Sequence, residues 1–132
     1  MNLSVVVPAW NEADSVPELF SEIRAALADW NGTWEVIVVD DGSTDGTFDV
    51  VRSEHAKDAR IRGVRFRRNA GKAAGLAAGF AAATGDYVIT MDADLQDDPQ
   101  ELRPLMALLD QGWDMMSGWK QIRNDPVDKT LP

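Results

Sequence analysis

Two aspartates separated by one residue, Asp92 and Asp94, form the pattern in this sequence that most directly suggests chemistry. In extended backbone, side chains at positions i and i+2 project to the same side, so both carboxylates can share a divalent cation. Gln96 can add a neutral oxygen ligand, and hard oxygen ligands suit Mg²⁺ or Mn²⁺. The alternative is a chance pair, because aspartate is frequent here. The position directly after an apolar run, residues 87–91, favours a metal site.

A second acidic pair, Asp40 and Asp41, follows another apolar run at residues 34–39. A carboxylate at the end of a buried strand can accept hydrogen bonds from a ribose or a base, as acidic residues do in other nucleotide-binding folds. The alternative is a turn that caps the next helix, for which Thr44 and Asp45 alone would suffice. Two adjacent acids exceed what a cap requires, which favours a ligand contact.

The segment after the first apolar run carries Pro8, Trp10 and Glu12. Trp10 can stack on a base, Glu12 can accept a hydrogen bond from it, and Pro8 restricts the backbone where the loop begins. The alternative is a solvated loop whose tryptophan packs on the first helix.

Lys72 follows a glycine at the predicted start of the third helix. A lysine beside the free N–H groups of a helix N-terminus can meet a phosphate. The surrounding residues lack the full phosphate-binding P-loop pattern. The alternative is therefore a capped helix start with a solvated lysine.

Short apolar runs alternate with helical patterns along the chain. Buried strands are predicted at residues 3–7, 34–39 and 87–91, a half-exposed or edge strand at 61–66, and a fifth strand at 113–117. The first helix is predicted from the capping box Ser15–Glu18, with an apolar stripe that continues to Trp30. The second is predicted over residues 45–54, with Ser43 or Thr44 as its cap, and the third over residues 72–83. The fourth follows a second capping box at Asp98–Glu101.

This alternation predicts an α/β fold: a three-layer, mostly parallel open sheet with a Rossmann-like nucleotide-binding half. Ligands of such sheets bind beyond the carboxyl ends of the strands. The segments that follow the predicted strands at 8–12, 40–45, 69–72 and 92–98 should therefore meet at one edge, with the candidate residues around them.

Composition excludes several classes of protein. The 132 residues, 45% apolar and 27% charged, predict one soluble domain. Thirteen Lys and Arg against 22 Asp and Glu give a net charge of −9, which argues against nucleic-acid binding. The absence of cysteine excludes disulfides, thiol catalysis and cysteine-ligated zinc. Neither a secretory leader nor a membrane-spanning stretch is apparent, and we expect a cytoplasmic chain.

The basic residues cluster around the predicted edge strand. Such charges commonly protect an exposed strand edge from aggregation, and they can alternatively touch an anionic membrane surface. The cluster consists of Arg60, Arg62, Arg65, Arg67 and Arg68.

Taken together, these motifs resemble a family 2 glycosyltransferase with the GT-A fold. The matching segments are Val5-Val6-Val7-Pro8-Ala9-Trp10-Asn11-Glu12, Val38-Val39-Asp40-Asp41-Gly42-Ser43-Thr44-Asp45-Gly46-Thr47, Asn69-Ala70-Gly71-Lys72 and Met91-Asp92-Ala93-Asp94-Leu95-Gln96-Asp97-Asp98-Pro99. The last is the most specific. It resembles the branch that transfers sugars to polyprenyl phosphates, which includes dolichol-phosphate mannose synthases, and residues 117–126 resemble its bacterial members.

The resemblance implies a role for each matching position. Pro8, Trp10 and Glu12 would hold the base, although the family more often has tyrosine at position 10. Val39 and Asp41 would contact the nucleoside with Asp40 close by, and Lys120 would lie near the phosphates. Asp92 and Ala93 would line the nucleotide-sugar site, and Asp94 and Gln96 would hold the metal with help from Asp92, which makes Asp92 and Asp94 the candidate catalytic residues.

The function implied is transfer of a sugar from a UDP- or GDP-sugar to a polyprenyl or dolichyl phosphate, with inversion and with Mg²⁺ or Mn²⁺. One alternative is a family 2 enzyme with a carbohydrate acceptor, and another is a nucleotide-binding fragment inactive on its own. A phosphorylation-receiver domain is disfavoured, because the loop after the first strand has only one acid, Glu12.

The family's catalytic domain extends beyond a chain of this length. We therefore expect residues 1–132 to be its N-terminal nucleotide-sugar-binding part, with a boundary or truncation near 118–132. An unpaired strand edge there would favour a homo-oligomer. The whole enzyme would act at the cytoplasmic face of the inner membrane, through membrane contacts outside this chain.

Overall fold

A five-stranded sheet forms the centre of the computed structural model, which describes residues 2–110 and 121–123. The strands are β1 (Asn2–Ala9), β2 (Thr33–Asp40), β3 (Ile61–Arg65), β4 (Tyr87–Thr90) and β5 (Gln121–Arg123), in the order β3-β2-β1-β4-β5. The first four are parallel, and β5 runs antiparallel to β4. The predicted mostly parallel α/β sheet is confirmed.

Four helices connect the strands: α1 (Val16–Ala26), α2 (Thr47–Lys57), α3 (Lys72–Ala82) and α4 (Leu102–Asp110), the last preceded by a 3₁₀ turn at Pro99–Glu101. The main core lies between one face of the sheet and the apolar sides of α1, α2 and α4. Its largest fully buried side chains include Phe20 and Ile23 from α1 and Leu102 from α4. Burial on this face anchors the strands whose carboxyl ends carry the candidate residues.

Helix α3 covers the opposite face, and two glycines let it approach the sheet. A Cβ atom at Gly79 would lie 2.3 Å from Cγ1 of Val6, whereas one at Gly75 would lie 3.8 Å from Pro8 and Val39. Of these two positions, only residue 79 must therefore be glycine for α3 to pack this close to the sheet. Helices on both faces make the three layers that the sequence predicts.

The starts of two helices differ from the prediction. Ser15 already has helical backbone angles, and its side chain forms no cap hydrogen bond, so the predicted capping box with Glu18 is absent. The Ser15 hydroxyl instead donates to the carbonyl of Ala93. Helix α2 begins at Thr47 rather than residue 45, because Gly46 has a φ of 90° and Asp45 accepts from the Thr47 N–H.

Smaller differences concern element ends. Helix α1 ends at Ala26, although its apolar stripe continues through buried Leu27. Helix α3 ends one residue before its predicted end, and β4 ends at Thr90. The predicted strand at residues 113–117 lies outside the described residues. Strand β5 lies beyond the last strand that the sequence predicts.

The arginine cluster lies within β3 and on both sides of it along the chain, and β3 is an edge of the sheet as predicted. Arg62 pairs with Glu35 at 2.5 Å. Arg60 pairs with Asp58 at 3.0 Å and stacks 3.9 Å from the ring centroid of Trp34. Two of the five arginines are thus paired with acids of the chain, and protection of the sheet edge stays a prediction for the cluster.

Candidate functional site

Three loops at the carboxyl ends of β1, β2 and β4, together with the start of α3, line a cleft of about 350 Å³. The sheet order places these strand ends side by side, as expected for the ligand edge of an open parallel sheet. The lining residues are Pro8, Ala9, Trp10, Glu12, Asp41, Lys72, Asp92, Ala93, Asp94 and Gln96. The structure thus gathers most of the candidate residues around one space.

Residues 10–15, named loop 1, are held to residues 41–46, named loop 2. Asn11 has a φ of 53°, a conformation that asparagine tolerates better than most residues. Its backbone N–H donates to Ser43 Oγ at 2.8 Å, and its side-chain oxygen accepts from the Thr44 N–H at 2.8 Å. These contacts leave Trp10 at the rim, 51% exposed, with its ring accessible from the cleft.

A buried threonine continues this connection. Thr47 Oγ1 accepts from the Glu12 N–H at 3.0 Å and donates to Asp45. The Thr47 hydroxyl, with the N–H of Ala13, lowers the pKa of Asp45 against the opposing effect of burial. A charged Asp45 therefore helps to hold loop 1 against the start of α2.

Loop 2 is in turn held to residues 66–71, named loop 3, by Asp41. Its carboxylate accepts from the N–H groups of Ala70 at 2.6 Å and Gly71 at 3.1 Å. Gly42 permits the close approach, since a Cβ there would lie 2.5 Å from the backbone of Arg68. Asp41 is 8% exposed and lines the cleft, so the same carboxylate supports loop 3 and faces the cleft.

Val39 and Asp40 do not line the cleft. Both are fully buried, and Val39 packs towards Gly75 and Gly79 of α3. Asp40 Oδ1 accepts from the Ser43 N–H at 3.0 Å, and Oδ2 has no hydrogen-bond partner among the described residues. Asp40 thus forms the turn considered as the alternative, while Asp41 reaches the cleft.

Residues 91–98, named loop 4, carry the paired aspartates. Asp94 Oδ1 accepts from the Gln96 N–H at 3.2 Å, which encloses Leu95 in a left-handed conformation with a φ of 67°. Asp97 accepts from the Asp92 N–H at 3.1 Å. These internal bonds fold loop 4 so that Asp92, Asp94 and Gln96 all line the cleft.

The oxygen donors of loop 4 fit a hard divalent cation. Asp92 Oδ2 and Asp94 Oδ2 form no hydrogen bond within the described part of the chain, and Gln96 supplies an amide oxygen beside them. Among residues 2–110 and 121–123 as a whole, no three or more His, Cys, Asp or Glu side chains cluster in a way that could hold a metal. A cation here would use two carboxylates and complete its shell with neutral oxygens or a ligand.

Lys72 is the cation among the lining residues, and its Nζ lies 3.3 Å from Asp92 Oδ1. It begins α3, at the end of the helix where the dipole favours an anion. Lys72 therefore links the start of α3, directly after loop 3, to loop 4 while its side chain remains 52% exposed.

The predicted Lys120 lies outside the described residues. Within residues 2–110 and 121–123, no helix is both long enough and apolar enough to span a bilayer.

Ser15 is a residue of the site that sequence patterns missed. Its hydroxyl donates to the Ala93 carbonyl at 2.7 Å and thereby joins loop 1 to loop 4. The contacts around the cleft then join loop 1 to loop 2, loop 2 to loop 3, the start of α3 after loop 3 to loop 4, and loop 4 back to loop 1. The sequence pattern predicts a helix cap at Ser15, and sequence alone does not distinguish a serine that caps a helix from one that donates to a distant carbonyl.

Comparisons with known proteins agree with this geometry. The model of a family described as glycosyl transferase family 2 matches residues 4–131. The undecaprenyl-phosphate 4-deoxy-4-formamido-L-arabinose transferase of Salmonella paratyphi A is 39% identical over 126 residues, which cover 95% of this chain and 38% of that protein. The chain thus spans about two fifths, 38%, of the curated relatives it matches first.

Two solved structures share the fold. Residues 1–349 of S. aureus TarS, in complex with UDP-GlcNAc, match with a TM-score of 0.67 and 27% identity over 84% of this chain and 32% of that one. The mannosyltransferase PcManGT from Pyrobaculum calidifontis, in complex with GDP-Man and Mn²⁺, matches with a TM-score of 0.60 and 33% identity over 70% of this chain and 27% of that one.

Proposed function

The chain belongs to glycosyl transferase family 2, and from that premise we propose that residues 1–132 form the nucleotide-sugar site of an enzyme that glycosylates a polyprenyl phosphate. The name of the Salmonella relative supports the acceptor, and the UDP-GlcNAc and GDP-Man complexes support a nucleotide-diphosphate donor.

The charge of the cleft is the observation that carries this proposal. Its lining includes four carboxylates, on Glu12, Asp41, Asp92 and Asp94, against one cation, Lys72, which gives 1 − 4 = −3. A diphosphate would be repelled from such a site unless a cation entered with it. We assign Asp92, Asp94 and Gln96 to hold Mg²⁺ or Mn²⁺, which when bound would offset charge on the leaving diphosphate. The Mn²⁺ complex of PcManGT supports this assignment.

We assign the other lining residues either to the nucleoside of the donor or to its phosphates. Trp10 offers an exposed ring for stacking on a base, Glu12 offers a hydrogen-bond acceptor, and Pro8 lines the same cleft. Asp41 keeps free lone pairs for the nucleoside, because each carboxylate oxygen can accept more than one hydrogen bond. Lys72 is placed to meet a phosphate when it leaves Asp92.

A lipid phosphate is already ionised at neutral pH, so it needs no general base to attack the sugar. Attack opposite the leaving diphosphate inverts the anomeric carbon, and the chain's contribution is to hold the donor in that geometry. Since a polyprenyl phosphate resides in a membrane, the whole enzyme would act at the cytoplasmic membrane face. A carbohydrate acceptor would instead require a carboxylate base beyond the lining residues already assigned to the donor.

A nucleotide-binding fragment without transfer activity is the second candidate. It is favoured by one observation, that the chain spans 38% of the length of its curated relatives. Acceptor contacts in this candidate would come from sequence outside residues 1–132.

Titration calorimetry with UDP and GDP, with and without Mn²⁺, tests the donor site, and incubation with radiolabelled sugar nucleotides and undecaprenyl phosphate tests transfer. Metal-dependent binding with transfer supports the enzyme, whereas metal-dependent binding without transfer supports the fragment. Absence of binding by either nucleotide contradicts both.

A further inference from the structure

Ser15 lies where the chain leaves loop 1 and enters α1, and its hydroxyl reaches across to loop 4. Its Oγ is 2.7 Å from the carbonyl oxygen of Ala93, 78 positions further along the chain. Ala93 stands between the two aspartates assigned to the metal, and its side chain is 3% exposed. A helix start thus contacts the backbone of the loop that faces the donor.

The hydroxyl of Ser15 has one proton and three acceptors nearby. The Ala93 carbonyl is at 2.7 Å, whereas the Glu12 carboxylate is at 3.2 Å and the Glu12 carbonyl at 3.3 Å. The shortest distance assigns the proton to Ala93, since O–H···O bonds are commonly 2.7–2.8 Å, about the separation seen here. The Glu12 side chain remains beside the same oxygen, so Ser15 adjoins both the base end and the metal end of the cleft.

Fixing the Ala93 carbonyl fixes the plane of the peptide that joins Ala93 to Asp94. Asp94 then enters a tight turn closed by the Gln96 N–H, with Leu95 in a left-handed conformation that a non-glycine residue rarely adopts. Such a turn persists only when surrounding contacts hold it. The bond from Ser15 is an external contact at the residue immediately before that turn.

We propose that Ser15 is a positioning residue that orients Asp94 for the metal through the Ala93 carbonyl. The inference rests on the proposed function, because it assigns the metal to loop 4. It differs from a helix-cap role, in which the serine would serve the N–H groups of α1 and leave loop 4 unaffected.

The test compares Ser15→Ala, which removes the hydroxyl, with Ser15→Thr, which retains one. Ser53→Ala is the matched control, because Ser53 is an exposed serine on α2. For each protein, the affinity for UDP and GDP is measured by calorimetry with and without Mn²⁺, and the Mn²⁺ affinity by electron paramagnetic resonance. Thermal unfolding of the free protein reports any general loss of structure.

Ser15→Ala is expected to weaken Mn²⁺ binding and the Mn²⁺-dependent gain in nucleotide affinity by about three- to tenfold, the range for loss of one hydrogen bond. Nucleotide affinity without Mn²⁺ should stay the same. Ser15→Thr should recover most of the gain, and Ser53→Ala should match the wild type. A purely structural role would instead lower thermal stability and both nucleotide affinities together.

Two failures are distinguishable. If the wild type shows the Mn²⁺-dependent gain and Ser15→Ala keeps it in full, the positioning role is wrong and the proposed function stands. If the wild type shows no Mn²⁺-dependent gain, the proposed metal site is wrong, and this inference is overturned with it.

Discussion

The carboxylate of Asp41, the residue directly after β2, accepts a hydrogen bond from the backbone N–H of Ala70 at 2.6 Å. This contact crosses from loop 2 to loop 3 and is one of four connections that close a ring around the cleft. The others are Asn11 with Ser43, Lys72 with Asp92, and Ser15 with Ala93. A closed ring restrains loops that would otherwise move independently, which prepares the cleft for its ligand at a smaller entropic cost.

Asp41→Asn should destabilise the chain as well as the site. The substitution replaces one carboxylate oxygen with an NH₂ donor, so one of the N–H groups of Ala70 and Gly71 loses its acceptor. We expect a loss of about 1–3 kcal/mol in the free energy of unfolding, measured by urea denaturation. Asp49→Asn, whose side chain is 79% exposed on α2, should change it by less than about 0.5 kcal/mol. Equal stability of the two variants would contradict the bridging role.

Lys72→Met should separate stability from phosphate binding. The ion pair with Asp92 joins side chains that are 52% and 34% exposed, so its loss should cost less than about 1 kcal/mol. Calorimetry should show weaker binding of a nucleoside diphosphate in the presence of Mn²⁺ and unchanged binding of the nucleoside. Lys57→Met, on α2, is the control for a lost lysine charge. Equal weakening for nucleoside and diphosphate would exclude a phosphate contact.

The two buried glycines of α3 should respond oppositely to alanine. At Gly79 the new Cβ would lie 2.3 Å from Val6, so overpacking should cost about 1–3 kcal/mol. At Gly75 the nearest atoms are 3.8 Å away, and the higher helix propensity of alanine should stabilise by up to about 1 kcal/mol. Thermal or urea unfolding of both variants measures the difference, and the reverse order of stability would contradict the observed packing.

Stability should fall in acid partly through Asp58, which joins α1 to α2 and β3. A hydrogen bond from the Arg60 side chain, together with Arg24, holds the pKa of Asp58 well below its usual range despite the opposing effect of burial. The folded carboxyl therefore stays ionised while the unfolded one takes up a proton near its ordinary pKa of about 3.9. The contribution of Asp58 to the free energy of unfolding is therefore present above about pH 4, and it is lost as the pH falls towards the pKa of Asp58 in the folded chain.

Asp58→Asn should accordingly be less stable than the wild type at pH 7, and the difference should shrink below about pH 4. Urea unfolding at pH 7, 5, 4 and 3 checks this, with Asp49→Asn as the exposed control. A difference that remains constant over this range would show that the Asp58 charge does not contribute.

The sequence predicts the parts of this structure that local patterns determine. The buried strands, the apolar side of α1 and the cluster of acids at the strand ends follow from periodicity and from the geometry of parallel sheets. The candidate residues Trp10, Glu12, Asp41, Lys72 and the Asp92–Asp94 pair all line one cleft for this reason.

The remaining features depend on contacts between distant segments. Ser15 and Asp98 both match a capping pattern, yet only Asp98 accepts a hydrogen bond at its helix start, from the Gln100 N–H at 2.9 Å. Which partner a serine hydroxyl uses is decided by tertiary structure, here by the carbonyl of Ala93. The same holds for Asp40, the last residue of β2, and Asp41, the first of loop 2, because the sequence does not say which of two adjacent carboxylates faces the cleft.

The central claim is that Asp94 helps to hold the divalent metal with which a nucleotide binds. The metal dependence of nucleotide binding by Asp94→Asn tests this claim most directly. Calorimetric titration of UDP and GDP with and without Mn²⁺ is compared in the wild type, in Asp94→Asn, and in Asp14→Asn, an exposed acid of loop 1 that does not line the cleft. We predict that Mn²⁺ raises the affinity of the wild type and of Asp14→Asn for one nucleotide by about tenfold or more and leaves Asp94→Asn unaffected. An undiminished Mn²⁺ effect in Asp94→Asn would contradict the account.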